Sequence, residues 1–413
     1  MKKVCVIGGG ASGLMAAYAA AENGNEVFLV EKNEKLGKKI YITGKGRCNL
    51  TNAVLPTDFI PNVVRGGKFL TGAIYSFSPE KTVEFFEEYG MPTKTERGNR
   101  VFPVSDHASD VTKTLEKACK SLGVSFLLQE TVTELKTTSS DIGIMPRIVG
   151  VKTDKGEYDC DAVVVATGGK SYPSTGSTGD GYTFARRLGV AVTDLKPALC
   201  GLELKGDFYQ ALQGLSLKNV SLTAMVGEKR IYSEFGEMLF THFGISGPIV
   251  LSLSSLINRT DLNTVRLALD LKPALDMDTL DKRILRDFGQ YQNKQIVNAL
   301  VDLLPQKLIL PVLSTAGILA TKPVNVITKE ERRRLLEAIK TFPMRVKALR
   351  GFTEAIVTSG GVDLSQINPK TMQVKSIEGL YFCGEVLDVD AFTGGFNLQI
   401  AFATGYAAGK SIK

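Results

Sequence analysis

The sequence is poor in the residues that build metal sites and disulfide frameworks. Its 413 residues include only two histidines and six cysteines, and no two cysteines stand in a C-x-x-C pair. Structural zinc sites and disulfide scaffolds rely on closely spaced cysteines and histidines, so the sequence predicts neither of them, and we expect no metal. A chain without such a framework is typical of a reducing compartment, which predicts a cytoplasmic protein.

Long apolar runs and tryptophan are also missing. The most apolar stretch, 248–257, is interrupted by three serines and is too short to span a bilayer. The chain enters a strand and a glycine turn within eight residues, which leaves no space for the apolar region of a signal peptide. No basic patch is interleaved with aromatic residues, as binding of single-stranded nucleic acid would favour. We therefore expect no membrane association, and a nucleic acid partner is disfavoured.

A dinucleotide-binding pattern is present at the N-terminus. An apolar strand at 3–7 leads into the turn GGGASG at 8–13, an alanine-rich helix follows, and a second strand at 26–30 ends at Glu31. In this pattern the first glycine permits a tight turn, the second lets a pyrophosphate approach the backbone, and the third lets the helix pack on the strand. The complete strand–helix–strand context predicts a nucleotide site.

The residues of this pattern also indicate where each part of the nucleotide is expected to bind. The pyrophosphate is expected at the N-terminus of the first helix, where unpaired N–H groups and the helix dipole favour anions. Glu31, at the end of the second strand, is expected to accept hydrogen bonds from ribose hydroxyls. A carboxylate at this position would repel a 2′-phosphate.

The C-terminal segment favours FAD over NAD. A strand that ends in Gly384-Glu385 and a helix that begins near 395–398 form a second strand–turn–helix unit. Its acid can accept hydrogen bonds from ribityl hydroxyls, and its helix N-terminus can stabilise the negative charge of a reduced flavin. The sequence has no second G-x-G-x-x-G, so a dedicated NAD(P)H domain is not expected, although NAD(P)H is a candidate transient electron donor.

Between these two units the pattern is that of an interrupted α/β protein. The length predicts two or three domains. Alternating apolar positions after Pro197 predict a small β domain, and helical periodicity covers roughly 276–339. In that stretch Thr328 and Glu331 form a capping-box pattern. The N- and C-terminal thirds are therefore predicted to build one discontinuous domain around an inserted middle.

Further motifs carry a family resemblance. The motif TGKGRCNLTN occupies 43–52, and others follow in order along nearly the whole chain: VFPVS at 101–105, GSTGDG at 176–181, THFGISGP at 241–248, TSGGV at 358–362, INPKTM at 367–372 and TGGFNLQ at 393–399. Together they resemble the bacterial FAD-dependent oxidoreductases described as aminoacetone-oxidase-like or 3-dehydro-bile-acid-reductase-like.

The resemblance implies a fold. It predicts an α/β protein with a glutathione-reductase-like FAD-binding Rossmann domain, an inserted β-barrel-like domain and a helical insertion. The expected boundaries are 1–195 with 356–413 for the FAD domain, 196–272 with 341–355 for the β domain, and 273–340 for the helical insertion.

The resemblance also implies a set of cofactor-binding residues. Those expected along the pyrophosphate and adenosine half are Gly8, Gly10, Ala11, Ser12, Gly13, Glu31, Lys32, Val132, Thr167 and Gly168. Those expected along the phosphates toward the flavin are Arg47, Cys48 and Asn49. Those expected at the ribityl and pyrimidine end are Gly384, Glu385, Asn397 and Leu398.

Catalytic residues are harder to assign, because a flavin carries the hydride itself. His242 lies in a glycine-rich segment, and the pKa of a free imidazole suits proton transfer, so we predict a catalytic role; a structural histidine is the competing interpretation. Cys48 is either a buried thiol or a thiolate activated by Arg47. Arg47 itself could bind a substrate carboxylate. Asp388 and Asp390 are interpreted as ordinary loop acids.

Two functions remain open. The first is an FAD-dependent oxidoreductase that transfers hydride to or from the flavin, by oxidising an amine or alcohol carbon or by reducing an activated C=C bond of a small metabolite. The alternative is a flavoprotein with an RNA-binding or tRNA-modifying role that uses the basic segment 32–47. That segment has a third interpretation as a solvated loop, and its cations could also neutralise the pyrophosphate.

Overall fold

Two units, each with its own hydrophobic core, make up the computed structural model, which describes residues 1–138 and 145–413. Unit 1 comprises Met1–Pro197 and Phe352–Lys413, and unit 2 comprises Ala198–Gly351. The chain therefore leaves unit 1 once and returns to it once, with unit 2 inserted as a continuous segment.

The strands are numbered β1 to β21 along the chain. Their bounds are Lys3–Ile7, Glu26–Glu31, Thr51–Asn52, Val63–Arg65, Thr93–Glu96, Arg100–Pro103, Ser125–Leu128, Val132–Thr137, Ile148–Thr153, Glu157–Asp159, Ala162–Val165, Lys196–Ala198, Leu202–Leu204, Ser216–Val226, Lys229–Thr241, Gly244–Ser246, Val265–Asp270, Phe342–Leu349, Val357–Ser359, Leu380–Phe382 and Asp390–Ala391.

The α-helices are numbered α1 to α12 in the same way. Their bounds are Ala11–Glu22, Pro56–Phe59, Gly67–Ser76, Pro79–Glu88, Ala108–Ser121, Asp180–Arg187, Pro248–Ile257, Met277–Gln290, Ile296–Ala299, Gln306–Ala316, Lys329–Lys340 and Phe396–Ser411.

Unit 1 is built on a five-stranded parallel sheet in the order β20-β11-β1-β2-β7. Its central strands are apolar on both faces, as parallel strands covered by helices require. Strands from the two ends of the chain are neighbours in this sheet, since β20 pairs with β11 and β11 with β1. The predicted α/β Rossmann fold is confirmed.

Helices α1 and α12 pack against each other because both carry small residues. A Cβ on Gly405 would lie 2.3 Å from the carbonyl oxygen of Ser12, and one on Gly409 would lie 2.3 Å from that of Ala16. The two helices therefore touch backbone to backbone. This contact fixes the C-terminal helix beside the glycine fingerprint.

Unit 2 contains a closed barrel in the strand order β13-β16-β15-β14-β17-β18. Alternate residues point inward, as in β14, where Leu222 and Ala224 are buried while Ser221 and Thr223 are partly exposed. The inserted barrel that the resemblance implies is thus present.

The helices α8 to α11 share one hydrophobic cluster with the barrel. The predicted capping box at the start of α11 is confirmed, because Thr328 Oγ1 accepts from the Glu331 amide at 3.1 Å and Glu331 Oε2 accepts from the Thr328 amide at 2.8 Å. The separate domain predicted at 273–340 stays a prediction.

Candidate functional site

Unit 1 holds a cavity of about 500 Å³ at the carboxyl ends of β1 and β11. This is the edge at which open α/β sheets bind ligands. Twelve of the predicted cofactor-binding residues line the cavity: Gly8, Gly10, Ala11, Ser12, Glu31, Lys32, Val132, Thr167, Gly168, Glu385, Asn397 and Leu398.

The fingerprint glycines have different packing environments. A Cβ on Gly13 would lie 1.8 Å from the carbonyl oxygen of Gly8, so this glycine is required for α1 to pack on the turn. Gly8 has a φ of +104°, and its Cβ would lie 2.7 Å from the carbonyl oxygen of Ala166. Gly10 differs, because a Cβ there would meet nothing within 4 Å and its residue borders the cavity. Gly13 supports the fold, whereas Gly10 leaves space for a ligand.

The N-terminus of α1 opens into this space. Gly10 caps the helix in an extended conformation, and no side chain among the described residues accepts from its first turn. The amides of the first helical residues are orphan donors within the helix. Together with the helix dipole they make an anion site suited to a pyrophosphate.

Glu31 is buried and is fixed in position by the fingerprint itself. Its Oε2 accepts from the Gly9 amide at 2.7 Å, and its Oε1 accepts from the Asn33 amide at 2.8 Å and from Asn33 Nδ2 at 2.6 Å. The side chain still borders the cavity. A carboxylate has about four acceptor positions, so Glu31 can hold the glycine turn and also accept from a ribose hydroxyl.

Lys32 points to a second loop. Its Nζ donates to Thr178 Oγ1 at 2.6 Å and pairs with Asp180 at 2.7 Å. The lysine thereby ties β2 to the start of α6. Its charge is matched by a carboxylate rather than left for a phosphate alone.

Glu385 is held by a network that the sequence did not indicate. Its carboxylate accepts from Lys39 Nζ at 2.7 Å, from Ser171 Oγ at 2.8 Å and from the Thr358 amide at 2.9 Å. These partners come from three distant segments of unit 1. Both Lys39 and Glu385 border the cavity. Lys39 was visible in the sequence only as one member of a basic stretch.

The N-terminus of α12 forms another wall of the cavity. Asn397 braces the turn before it, since its Oδ1 accepts from the Ala391 amide at 3.0 Å and its Nδ2 donates to the Ala391 carbonyl at 2.8 Å. Leu398 borders the cavity with an apolar side chain. The first turn of this 16-residue helix brings a positive dipole end to the site.

Five predicted cofactor residues do not line the cavity: Gly13, Arg47, Cys48, Asn49 and Gly384. Gly384 lets its strand approach α1, because a Cβ there would lie 2.4 Å from Ser12 Oγ. Gly13 and Gly384 thus act on the site through packing.

The contacts of Arg47 and the burial of Cys48 are consistent with their position outside the cavity lining. Arg47 pairs with Glu96 and with Asp106 at 2.7 Å, and its guanidinium lies 4.2 Å from the centre of the Phe102 ring. Cys48 is fully buried, and burial raises the pKa of its thiol to about 12, so it is a thiol at neutral pH. The buried-thiol interpretation of Cys48 is therefore supported, and the cofactor roles of Arg47, Cys48 and Asn49 stay predictions.

The other cations of the segment 32–47 are mostly engaged as well. Lys38 pairs with Glu34 at 3.2 Å, and Lys35 lies over the Tyr41 ring at 4.7 Å. Lys45 is exposed, has a left-handed φ of 58° and borders the cavity. Among the ion-paired cations of this segment, only Lys38 meets an acid within it, and the others meet acids from distant parts of the chain.

The loop acid Asp388 is more than an ordinary solvated residue. It is buried, and Arg65 donates to both of its oxygens at 2.7 and 2.6 Å. This bidentate pair joins the segment after β20 to β4. The structure thus adds a buried ion pair to the loop position of Asp388, and the interpretation that it has no catalytic role stays a prediction.

His242 lies in unit 2, in the tight turn between β15 and β16. Its side chain is exposed, and its ring packs edge-to-face on Phe243 with 5.1 Å between the ring centres. An exposed imidazole on a barrel hairpin can exchange protons. Its catalytic role stays a prediction.

The cavity residues fit FAD on structural grounds. The cavity lining includes the N-terminus of α1 beside Gly10, the N-terminus of α12 at Asn397, and the carboxylates of Glu31 and Glu385. Those groups suit a pyrophosphate, a ribose and a ribityl chain, and the apolar side chains suit flat rings. Among the helices within 1–138 and 145–413, none has the length and apolarity that crossing a membrane needs.

Comparison with known proteins gives a consistent result. The family model described as the HI0933-like protein Rossmann domain matches residues 2–411. The chain is 32% identical over its whole length to a 3-dehydro-bile acid delta(4,6)-reductase of Clostridium scindens, covering 99% of that protein. It is 31% identical to a ribosomal RNA dihydrouridine synthase of Haemophilus influenzae, over 98% of this chain and 97% of the relative.

A solved structure supports the fold alone. The 3-ketosteroid-delta4-(5alpha)-dehydrogenase of Rhodococcus jostii RHA1 superposes with a TM-score of 0.53 at 17% identity, over 99% of this chain and 96% of that one. The family match and the 32% identical relative confirm the sequence resemblance, with FAD as the cofactor and an oxidoreductase as the class of enzyme.

Proposed function

Because the chain belongs to the HI0933-like family of Rossmann flavoproteins, we propose that it reduces a carbon–carbon double bond conjugated to a carbonyl group in a small metabolite. Hydride would pass from reduced FAD to one carbon of the double bond, and a proton would be added to the other. This would reduce the double bond by two electrons, which bound FAD would supply.

One observation carries this proposal. Relatives that match nearly the whole chain bear names for the same kind of step on different molecules, one a delta(4,6)-reductase and one a dihydrouridine synthase. Each name describes addition of two hydrogens to a C=C bond. The two names share the reduction of a C=C bond and differ in the substrate. We therefore base the proposed reaction class on what they share.

The cavity residues would divide the work of holding the cofactor. The first turn of α1 would bind the pyrophosphate, Glu31 the adenosine ribose, and the backbone at Val132 the adenine. Glu385, fixed by Lys39, would accept from the ribityl hydroxyls. FAD supplies the two-electron chemistry when it is bound.

The first turn of α12 would tune this chemistry. Reduction places negative charge on the pyrimidine part of a flavin, and a helix N-terminus stabilises a nearby anion by about 0.3–1 kcal/mol at exposed sites and by more when partly buried. The segment from Gly395 to Leu398 provides such an N-terminus at the cavity wall.

The proton requires a general acid. We assign this role to His242, whose exposed side chain in the β15–β16 turn can exchange protons with solvent. We also propose NAD(P)H as the electron donor. It would bind only transiently, because the sequence lacks a second dinucleotide fingerprint to hold it.

An anaerobic half-reaction tests the proposal. Enzyme whose flavin has been photoreduced is mixed with a 3-keto-Δ4 steroid, a simple cyclic enone and free uridine, and flavin re-oxidation is followed. We expect an enone to re-oxidise the flavin and to gain two mass units. The proposal fails if amines or alcohols bleach the oxidised flavin while every enone leaves the reduced flavin unchanged.

A pyrimidine in RNA is the second candidate substrate, favoured by the dihydrouridine synthase relative. The segment 32–47 is a weak choice for an RNA surface, because Lys32, Lys38, Lys39 and Arg47 already pair with carboxylates. Mass analysis of RNA incubated with reduced enzyme separates this candidate from a free metabolite.

A further inference from the structure

Arginines from separate strands stand in one row on the outside of the barrel. Arg266 of β17 lies directly opposite Arg345 of β18, and on the other side of Arg266 the row continues through Met225 of β14 to Arg230 of β15. The three arginines are exposed. Lys205 extends the row, since its amide donates to the Arg345 carbonyl at 2.9 Å. We call this set the arginine row.

The row is unfavourable for folding by itself. Like charges directly opposite on adjacent antiparallel strands repel each other. No ion pair joins Arg230, Arg266 or Arg345 to a carboxylate within 1–138 and 145–413, and the one polar contact of Arg266 is to the Gly227 carbonyl. By contrast, Arg333 on α11 is paired with Glu330 and Glu337. An anionic ligand would relieve the repulsion in the arginine row.

A second row on the same face carries hydroxyl groups. Thr223 of β14 lies opposite Ser233 of β15, and their hydroxyls are 3.1 Å apart in an exposed position. On β14 this row lies two residues from the arginine row, at Thr223 instead of Met225, which is a distance of about 6.8 Å along the strand. Small hydroxyl side chains in such a position can exchange hydrogen bonds with sugar hydroxyls.

A third row exposes an aromatic ring. Phe235 of β15 lies opposite Ser221 of β14, and 57% of its surface is exposed. The acid that shares this row, Asp270 of β17, pairs with Lys340 at 2.6 Å. The face thus offers cations, then hydroxyls, then an aromatic ring, in the order of phosphate, sugar and base in a nucleotide strand.

We propose that this outer face of the barrel binds unpaired RNA. The arginine row would contact phosphates, the Thr223–Ser233 pair would contact 2′-hydroxyls, and Phe235 would stack on a base. Recognition of the 2′-hydroxyl is what separates RNA from DNA at such a surface. The proposal concerns binding, so it does not depend on the reaction proposed above.

The test measures binding of a fluorescent 12-nucleotide single-stranded RNA by anisotropy over a series of salt concentrations. The variant Arg266→Gln/Arg345→Gln removes two cations of the row. The control Lys329→Gln/Arg333→Gln removes two exposed cations of α11 and changes the net charge equally. We expect the first variant to bind on the order of tenfold more weakly, with a salt slope lower by about 1.4, and the control to bind like the wild type.

Phe235→Ala separates stacking from charge. It should weaken binding by roughly 5- to 100-fold while the salt slope is unchanged, because stacking does not release counterions. Equal weakening by both double variants would reduce the effect to net charge and overturn the proposal. Equal affinity for DNA of the same sequence would overturn the RNA assignment, as would arginine-dependent binding of phosphatidylserine vesicles without RNA binding.

Discussion

Glu31 is fixed by three hydrogen bonds from the protein, from the Gly9 amide and from Asn33. The same side chain borders the cavity. Glu31 therefore both holds the glycine turn and borders the cavity. Lys39 and Glu385 likewise pair with each other and border the cavity.

For Glu31→Ala we expect a protein that retains little FAD. The change removes the acceptor for Gly9 and Asn33 together with the ribose contact, and hydrogen bonds to charged groups contribute about 1.5–3 kcal/mol each. The FAD dissociation constant should rise at least about tenfold. The flavin absorbance per protein after dialysis measures the FAD that each variant retains, and exposed Glu26→Ala is the control. Wild-type occupancy in Glu31→Ala would remove Glu31 from cofactor binding.

His242→Gln should leave FAD content unchanged and slow the proton-dependent step. General acid catalysis typically contributes about 10²–10⁴-fold, so substrate-dependent flavin re-oxidation should fall at least about tenfold, with water replacing part of the function. The other histidine of the chain, His107 at the start of α5, gives the matched control His107→Gln. If both variants turn over like the wild type in a single-turnover experiment, His242 is not the acid.

In helices α1 and α12, glycines at different positions have different roles. The N-terminus of α1 needs Gly13 for its own packing and Gly10 for the space in front of it. α12 approaches α1 through glycines as well. The site at the sheet edge therefore depends on how closely two helices can lie.

Gly10→Ala and Gly13→Ala should fail in different ways. The Gly10 Cβ would meet no protein atom within 4 Å, so this variant should fold with a near-normal melting temperature and lose FAD. The Gly13 Cβ would lie 1.8 Å from a backbone oxygen, so this variant should be strongly destabilised. Gly72→Ala in α3, whose Cβ also meets nothing, is the control. Normal FAD binding by Gly10→Ala would place the pyrophosphate elsewhere.

The capping box of α11 gives a pH-dependent contribution to stability. Lys322 and the Thr328 backbone lower the pKa of Glu331 to about 2 in the folded protein, from 4.5. A carboxyl with a depressed folded pKa stabilises the protein above its unfolded pKa and loses this effect as the pH falls. Glu331→Gln should therefore lower the urea midpoint at pH 7, and the difference should shrink as the pH falls from about 4.5 toward 2. The exposed Glu337→Gln is the control; a difference that stays constant with pH would contradict the assignment.

At the scale of the whole molecule, two cores divide the chain. Unit 1 contains the cavity and is assembled from both ends of the sequence, while unit 2 is one continuous segment. A ligand that binds only native unit 1 stabilises that unit by mass action.

Removal of FAD should therefore act on one unfolding transition. We expect calorimetry to resolve two transitions, of which one moves to lower temperature in the apoprotein while the other stays within about 1–2 °C. Adding FAD back should restore the first, and the shift should grow with FAD concentration. A single transition that moves as a whole would mean that the two units unfold as one.

The sequence alone determined the parts that depend on local pattern. The glycine turn, the strands around it, Glu31 and the capping box at Thr328 follow from residues within a few positions of each other, and strand and helix periods are read from such spacing. The motifs along the chain then identified the family and FAD. Twelve of the predicted cofactor residues border the cavity for this reason.

Only the tertiary structure decided which distant residues meet. Lys39 and Glu385 are 346 positions apart, and Arg65 and Asp388 are 323 apart. Arg47 lies inside the motif at 43–52, yet it pairs with Glu96 and Asp106 and does not line the cavity. The arginine row is assembled from four strands whose register sets the pairing. Ion pairs and hydrogen bonds join residues that are close in space, so the spacing of residues along the chain does not predict these pairs.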